Sequence, residues 1–317
     1  MCIANDTPLK DCLGLEGCSM LSNLHIADTK VSDLGPLSML RRLHNLDASG
    51  SLLTDINALS KVLSIGSLNL SGNSITDITS LAGKTNLQYL NLSHCQVNNI
   101  EPLEETTSLR HLSLNACPVA DIEPLRHSVG IRHLNLNSTL VADIGVIRDL
   151  RGLKSLDASL SRIEDVGSLS VGLPLTSLEL AGCPLHNLRG LENLEKLNSL
   201  NLSDTFCKDY SNLRKIKTLQ YLDISSSNLT TLSVLNPENQ INFLDISGSP
   251  VEDLELLSGF DHLIRIFLDV SQLHNVALVL GLNNISEVSG IINREEGAPK
   301  IFVYRTKTEG WKAQKLH

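Results

Sequence analysis

A motif of 22 residues recurs along almost the whole chain and constrains its fold more than any other feature. One copy, IGSLNLSGNSITDITSLAGKTN, begins at Ile65, and frames of equal length run in unbroken register from residue 21 to about 284. The amino terminus also fits the pattern, whereas the final frame, from Ile285, fits poorly. One frame is too short to bury its own apolar face, so successive frames must stack into a solenoid with a shared core.

The spacing of apolar residues within a frame predicts its local structure. Positions four and six of the frame, such as Leu68 and Leu70, alternate with the two-residue period of a strand. The later apolar positions lie three apart, which favours a 3₁₀-like turn or a short helix. The sequence therefore predicts an α/β fold of about thirteen turns. A solenoid is expected over residues 1–290, with a partial repeat or cap at 1–20, and a carboxy-terminal cap or tail at 291–317.

Two polar columns support this alignment. Position nine is a small side chain that can donate a hydrogen bond to carbonyls inside the coil. Position thirteen is mainly Asp, a residue that caps the start of a helical turn. The position-nine residues are Thr7, Thr29, Ser51, Asn73, Cys95, Cys117, Thr139, Ser161, Cys183, Thr205, Ser227, Ser249 and Ser271. The position-thirteen residues are Asp11, Asp33, Asp55, Asp77, Asn99, Asp121, Asp143, Asp165, Asn187, Asp209, Thr231, Asp253 and Asn275.

Composition and charge exclude several classes of function. The chain has 26 basic and 35 acidic residues, a net charge of −9, which disfavours binding to nucleic acid. No stretch approaches the roughly 20 apolar residues of a membrane helix, and the start MCIANDTPLK lacks the features of a signal peptide. Seven cysteines scattered over 317 residues do not form a disulfide framework. The chain is therefore expected to be cytoplasmic, without contact to membranes.

The repeat resembles the leucine-rich-repeat superfamily, in the form L-x-x-L-x-L-x-x-(polar)-x-(V/I/L)-x-D-(I/L)-x-x-L. Its 22-residue spacing and the DI-x-PL segment resemble the internalin-like and phosphatase-regulator-like subclasses. The Ser, Thr or Cys at position nine, where the family usually has Asn, resembles protozoan repeat proteins more than bacterial internalins. The resemblance implies a right-handed solenoid with a parallel sheet on the concave face and 3₁₀ or short helical turns on the convex face. It also implies a protein-binding scaffold.

Groups that could carry chemistry have simpler structural explanations. The Asp column could be a calcium ladder, but turn capping accounts for it. Cys95 and Cys117 lie in adjacent frames and could bind zinc or form a disulfide, yet both occupy the buried donor column. His111 and His133 occupy the same outward position but lack a third zinc ligand nearby. No His–acid pair is placed to activate a serine. We therefore predict no enzyme activity, no metal and no cofactor.

Function is expected to depend on strand residues that point outward. Positions three, five and seven face the concave side because side chains alternate along a strand. Ring-bearing and charged residues there form a central and a carboxy-terminal patch, and interface hot spots have this composition. The predicted partner-binding residues are Tyr89, His111 and His133 in the central patch, and Tyr221, Asp223, Phe243, Asp245, Arg265 and Phe267 in the second. The acids favour a basic protein partner.

The tail from Gly297 allows two interpretations. Its KIFVYR stretch is typical of a final strand that caps the open end of the solenoid, and the tail could also cover the second patch. Alternatively, Trp311 and its neighbouring lysines form a linear element for a second partner.

Three functional hypotheses follow. The first is a non-enzymatic scaffold, monomeric on its own, that docks a protein on its concave face. The second is a regulatory subunit of a type-1 protein phosphatase. The third is a secreted or surface adhesion protein, which would need an export route.

Overall fold

The computed structural model describes residues 1–169, 172–269, 285–291, 300–306 and 310–316. The chain forms two compact units, Met1–Arg162 and Ile163–His317. Within the described residues, no helix is both long enough and apolar enough to span a bilayer. The same 22-residue rung builds both units.

The first unit is a stack of eight parallel strands, in which neighbouring strands pair with an offset of 22 residues. The strands are β1 (Cys2–Ile3), β2 (Asn23–His25), β3 (Asn45–Asp47), β4 (Ser67–Asn69), β5 (Tyr89–Asn91), β6 (His111–Ser113), β7 (His133–Asn135) and β8 (Ser155–Asp157). Short 3₁₀ helices follow seven of them, at Leu15–Gly17, Gly35–Met39, Asn57–Lys61, Thr79–Leu81, Glu101–Leu103, Glu123–Leu125 and Gly145–Asp149. The predicted strand is confirmed in all eight of these rungs, and the predicted 3₁₀ turn in seven of them.

The second unit repeats this arrangement with six parallel strands. They are β9 (Ser177–Glu179), β10 (Ser199–Asn201), β11 (Tyr221–Asp223), β12 (Phe243–Asp245), β13 (Arg265–Asp269) and β14 (Glu287–Ile291). Its 3₁₀ helices are Leu191–Asn193, Ser211–Lys215, Leu232–Val234 and Leu254–Gly259. β14 comes from the frame that fits the motif poorly, yet it pairs with β13 in the same 22-residue register.

The carboxy-terminal strands depart from the parallel order. β15 (Lys300–Thr306) pairs antiparallel with β14, and β16 (Gly310–Leu316) pairs antiparallel with β15. The KIFVYR stretch is therefore a strand, as the sequence predicts. Because both strands continue the sheet beyond β14, their backbone does not lie over the face of β11–β13. Whether Trp311 contacts a partner stays a prediction.

Aliphatic side chains make up most of the interior of the rungs that the structure describes. In the rung of β4, Leu68, Leu70, Ile75, Ile78 and Leu81 are all buried. Fully burying one such side chain contributes about 1.5–3 kcal/mol. The apolar column therefore supplies the main driving force for stacking, as expected for a chain with 3% aromatic residues.

The position-nine column satisfies carbonyls inside the coil. Thr29 Oγ1 donates to the Ile26 carbonyl at 2.8 Å, and the Cys95 thiol donates to the Leu70 carbonyl at 3.3 Å. Asn73 Nδ2 reaches two carbonyls, Leu70 at 2.8 Å and that of the preceding rung at 2.9 Å. The predicted role of these small donors is confirmed.

Most described residues of the position-thirteen column cap the turn that follows them, whereas Asp253 accepts the Thr231 hydroxyl and the Leu232 N–H of the preceding rung. Asp143 Oδ1 accepts the Gly145 N–H at 2.7 Å, and Asn99 Oδ1 accepts the Glu101 N–H at 2.8 Å. Equivalent bonds are made by Asp11, Asp33, Asp55, Asp77, Asp121, Asp165, Asn187, Asp209 and Thr231. The predicted capping function is confirmed, and it gives these acids a structural role.

Position eight of the frame has a left-handed backbone conformation, which the sequence pattern does not predict. Twelve successive rungs have a positive φ there, at Asp6, Asp28, Gly50, Gly72, His94, Ala116, Ser138, Leu160, Gly182, Asp204, Ser226 and Gly248. Only glycine adopts this conformation without strain, and Asn or Asp tolerate it better than other residues. The rung therefore turns after each strand through a left-handed residue.

Candidate functional site

The sheet face of each unit carries the outward side chains of the strands. In β6, for example, His111 is exposed, Leu112 is buried and Ser113 is half-buried. The alternation predicted for positions three to five is therefore confirmed, and it repeats in neighbouring strands. This face is the surface on which all nine predicted partner-binding residues lie.

Many polar residues at position five stabilise the turn after their own strand. Asp223 Oδ1 accepts the Ser225 N–H at 3.0 Å and the Ser225 hydroxyl at 2.6 Å. Asp245 binds Ser247 in the same way, at 2.9 and 2.6 Å. Position seven donates a backbone N–H to Asp47, Asn69, Asn91, Asn135, Asp157 and Asn201 as well. The carboxylates predicted to attract a partner are thus held rigidly by the fold.

The second unit presents a stack of aromatic rings, Tyr221, Phe243 and Phe267, which we call the aromatic strip. The Tyr221 and Phe243 rings are stacked, with centroids 4.3 Å apart and planes inclined by 14°. Phe243 and Phe267 lie 5.1 Å apart at 39°. Parallel pairing causes this contact, because it places Tyr221 directly beside Phe243. All three rings are half-buried, so part of each remains open to solvent.

The aromatic strip lies in a negative environment. Burial, followed by the charges of Asp223, Glu179 and Asp245, raises the pKa of the Tyr221 hydroxyl to about 12. The phenol therefore stays neutral at physiological pH. Arg265 is exposed and pairs in register with Phe243, so it places one cation at the edge of the strip. The sequence-predicted residues of the second patch are therefore brought together.

The first unit presents a second series of rings, Tyr89, His111 and His133, which we call the imidazole strip. The two imidazoles are stacked, with centroids 4.6 Å apart and planes inclined by 9°. Tyr89 lies 6.1 Å from His111 at 39° and is 40% exposed. The predicted central patch therefore exists as a set of neighbouring rings on β5–β7.

The imidazole strip lies in a positive environment, in contrast to the aromatic strip. The pKa of His111 is lowered from its ordinary value, first by burial and then by the positive charges of His133, Arg132 and Arg110. Neither arginine was among the predicted site residues. They occupy position two of their frames, just before the strand begins, so the alternation of side chains along the strand does not predict which face they are on. Their recurrence one frame apart is visible in the sequence.

The cysteines of the donor column lie inside the coil. Cys95 and Cys117 are free, buried thiols, and burial raises the pKa of Cys117 to about 11. Burial also raises the pKa of Cys207 to about 11, so this thiol is protonated at neutral pH. In the part of the chain that the structure describes, no group of three or more His, Cys, Asp or Glu residues is placed to hold a metal ion.

The comparisons by sequence identify the repeat itself. The family model of leucine-rich repeats in two copies matches residues 67–105 and 85–127. No curated protein sequence matches the chain.

Solved structures of the same fold cover most of the chain. The internalin inlF of Listeria monocytogenes is 24% identical with a TM-score of 0.70, over 87% of this chain and 88% of that one. Internalin C2 of the same bacterium is 30% identical with a TM-score of 0.55, over 56% of this chain and 79% of that one. The plant peptide hormone receptor RGFR1, in complex with RGF2, is 16% identical with a TM-score of 0.63, over 89% and 56% of the two chains.

Proposed function

We propose that this chain, which belongs to the leucine-rich-repeat superfamily and is related to the internalins, is a non-enzymatic scaffold that docks a basic segment of a partner protein on its aromatic strip. The fold is a protein-interaction fold, and the receptor RGFR1, which shares it, is in complex with RGF2. Because a fold alone does not name its ligand, the partner has to be identified from the side chains on the sheet face.

The ring stack is the observation that carries this proposal. Tyr221, Phe243 and Phe267 place three large rings on an open sheet face, although the chain has only five Phe and four Tyr. Clustered aromatic rings that are already packed together lose little conformational freedom on binding, which is a property of interface hot spots. The strip is therefore preorganised for a partner.

The charge around the rings supports a cationic partner. Asp223 and Asp245 are fixed beside the strip by their bonds to the following turns, and Glu179 contributes to the same negative field. A lysine or arginine side chain approaching the rings would gain both this electrostatic attraction and a cation–π contact. We therefore expect the partner segment to be basic and extended.

The test combines a defined probe with affinity capture. The variant Tyr221→Ala with Phe243→Ala is compared with wild type for binding of a fluorescein-labelled peptide of alternating Lys and Gly residues. Loss of a hot spot of about 2 kcal/mol should weaken binding about 30-fold. Mass spectrometry should show that the proteins captured by wild type are lost from the variant, while thermal unfolding is nearly unchanged.

The matched control removes another exposed ring. Phe206 is 67% exposed and lies after the turn that follows β10, outside the aromatic strip. Phe206→Ala should bind the peptide as wild type does. If the double variant keeps the affinity of wild type and captures the same proteins, the proposed docking surface is wrong.

The two narrower hypotheses from the sequence stay predictions, and each has its own test. A regulatory subunit of a type-1 protein phosphatase should co-purify phosphatase activity, and its absence would remove this hypothesis. An adhesion protein should appear outside the cell when the intact chain is expressed in its own host.

A further inference from the structure

We infer that the imidazole strip and the cations beside it form a second docking surface, in the first unit, that binds an acidic peptide segment of a partner. This inference goes beyond the proposed function, because it assigns a different surface and a ligand of opposite charge. Six residues form the surface: Tyr89, Arg110, His111, Arg132, His133 and Lys154.

Three cations follow one another at the same position of neighbouring rungs. Arg110, Arg132 and Lys154 each immediately precede a strand, β6, β7 and β8 respectively, and all three are exposed. Adjacent strands lie about 4.8 Å apart, so the three side chains start from a row about 10 Å long. The local charge along this row is positive, although the net charge of the chain is −9.

In the described part of the fold, neither Arg110 nor Arg132 forms an ion pair with a carboxylate. Arg126, by contrast, is engaged by Glu123 and by Asp149 at 2.6 Å. The unpaired guanidinium groups are therefore available to an external carboxylate, with which they can form charge-assisted, bidentate hydrogen bonds.

The face beside the cations is uncharged where it meets the rings. Position five of β5, β6 and β7 is Asn91, Ser113 and Asn135. The acid at this position on β8 is Asp157, whose Oδ1 accepts the Ser159 N–H at 3.1 Å. Beside His111, the charges that shift its pKa are all positive. An approaching carboxylate therefore meets cations and neutral donors across β5–β7.

The size of the row fits a short extended peptide. An extended chain rises about 3.3 Å per residue, so three or four residues that run across the strands cover the 10 Å row. The stacked imidazoles and Tyr89 offer flat surfaces for the apolar parts of such a peptide, as aromatic rings do at interfaces. A protein segment with two or three closely spaced carboxylates matches both features.

A peptide fits this surface better than a nucleic acid. A long polyanion would have to approach a molecule of net charge −9, and it would need a basic surface larger than three residues. A short acidic segment needs only the local positive field. Nucleic-acid binding is therefore an alternative that the experiment has to exclude.

The test measures the fluorescence anisotropy of a fluorescein-labelled peptide of alternating Glu and Gly residues on the purified full chain. Wild type should bind this peptide and should not bind the same peptide with Gln in place of Glu. Arg110→Gln combined with Arg132→Gln should weaken binding about tenfold, because two exposed charge pairs are lost. The affinity should also fall when the ionic strength is raised from about 0.05 to about 0.3 M.

The matched control changes the same number of charges elsewhere in the first unit. Arg148 and Arg162 are exposed, and Arg148→Gln combined with Arg162→Gln should leave the affinity within about twofold of wild type. Equal losses in both double variants would overturn the proposal, as would absence of binding to wild type or tighter binding of a labelled oligothymidylate. None of these results would affect the aromatic strip, since the experiment on Tyr221 and Phe243 uses a basic probe.

Discussion

At the residue scale, position eight shows how a repeat can retain local strain. Each rung needs a left-handed residue there, yet only Gly50, Gly72, Gly182 and Gly248 satisfy this need with glycine. Leu160 takes the same conformation, with φ of 56°, and its side chain is 61% exposed. An L-residue other than Gly, Asn or Asp costs roughly 1–2 kcal/mol in this region.

Leu160→Gly should therefore stabilise the protein. Relief of the strain exceeds the extra freedom that glycine gives the unfolded chain, about 0.4–1 kcal/mol, so a net gain of about 0.5–1 kcal/mol is expected. Urea unfolding of wild type and variant measures this difference. Leu160→Ala is the control, because it removes the exposed side chain but keeps the Cβ atom that causes the strain. If both variants gain equally, the strain at φ is not the cause.

A second residue-scale feature is a lysine inside the core. Lys84 is 1% exposed, and its Nζ donates to the Leu59 carbonyl at 2.6 Å and the Ser60 carbonyl at 3.2 Å. The equivalent residues in the two preceding rungs are Val62 and Leu40. Burial lowers the pKa of Lys84 below its ordinary value of 10.5.

This pKa shift predicts how stability responds to alkali. Between the lowered folded pKa of Lys84 and 10.5, the unfolded chain binds more protons than the folded one, so the free energy of unfolding rises with pH. The stability of wild type relative to Lys84→Met should therefore increase as the pH approaches 10.5. Urea unfolding at a series of pH values measures this difference, and Lys61→Met, at an exposed site, controls for the loss of a lysine. A constant difference between wild type and Lys84→Met would contradict the prediction.

At the element scale, the turn that leads towards the 3₁₀ segment is held in most rungs by a side-chain oxygen at position thirteen. Asp143 accepts the Gly145 N–H, and Asn99 and Asn187 make the same bond with an amide oxygen. The cap therefore needs an acceptor oxygen and does not need a negative charge.

Replacement of Asp143 tests this distinction. Asp143→Asn should leave the free energy of unfolding nearly unchanged, whereas Asp143→Ala should lower it by about 1 kcal/mol. The two variants have the same net charge, so their difference isolates the hydrogen bond. Equal stability of the two variants in urea would show that the cap contributes nothing.

The elements also show which parts of the fold and site follow from sequence. Apolar spacing predicts the strands and 3₁₀ turns, and the donor and capping columns are predicted because one residue type recurs. The left-handed conformation at position eight could not be predicted in this way, because Asp28, His94 and Leu160 share no side-chain chemistry. The ring stacks follow from the common register of the strands. The position of the arginines beside His111 does not follow from this register, because position two lies just before the strand and outside its alternation of faces.

At the scale of the whole molecule, the net charge and the local fields have different origins. Nine aspartates of the capping column account for the net charge of −9, since the remaining 26 acids balance the 26 bases. The local charge is positive beside the imidazole strip and negative beside the aromatic strip. Arg110 and Arg132 act on the rings of the first unit, whereas Asp223, Glu179 and Asp245 act on those of the second.

The two surfaces should therefore respond independently to probes of opposite charge. Tyr221→Ala with Phe243→Ala should lose affinity for the Lys–Gly peptide and bind the Glu–Gly peptide as wild type does. Arg110→Gln with Arg132→Gln should lose only the Glu–Gly peptide, because the strips use different strands and opposite fields. Each probe is titrated separately by fluorescence anisotropy, since a mixture of the two peptides would associate in solution. If one double variant weakens both peptides to the same extent, the chain has a single docking surface rather than two.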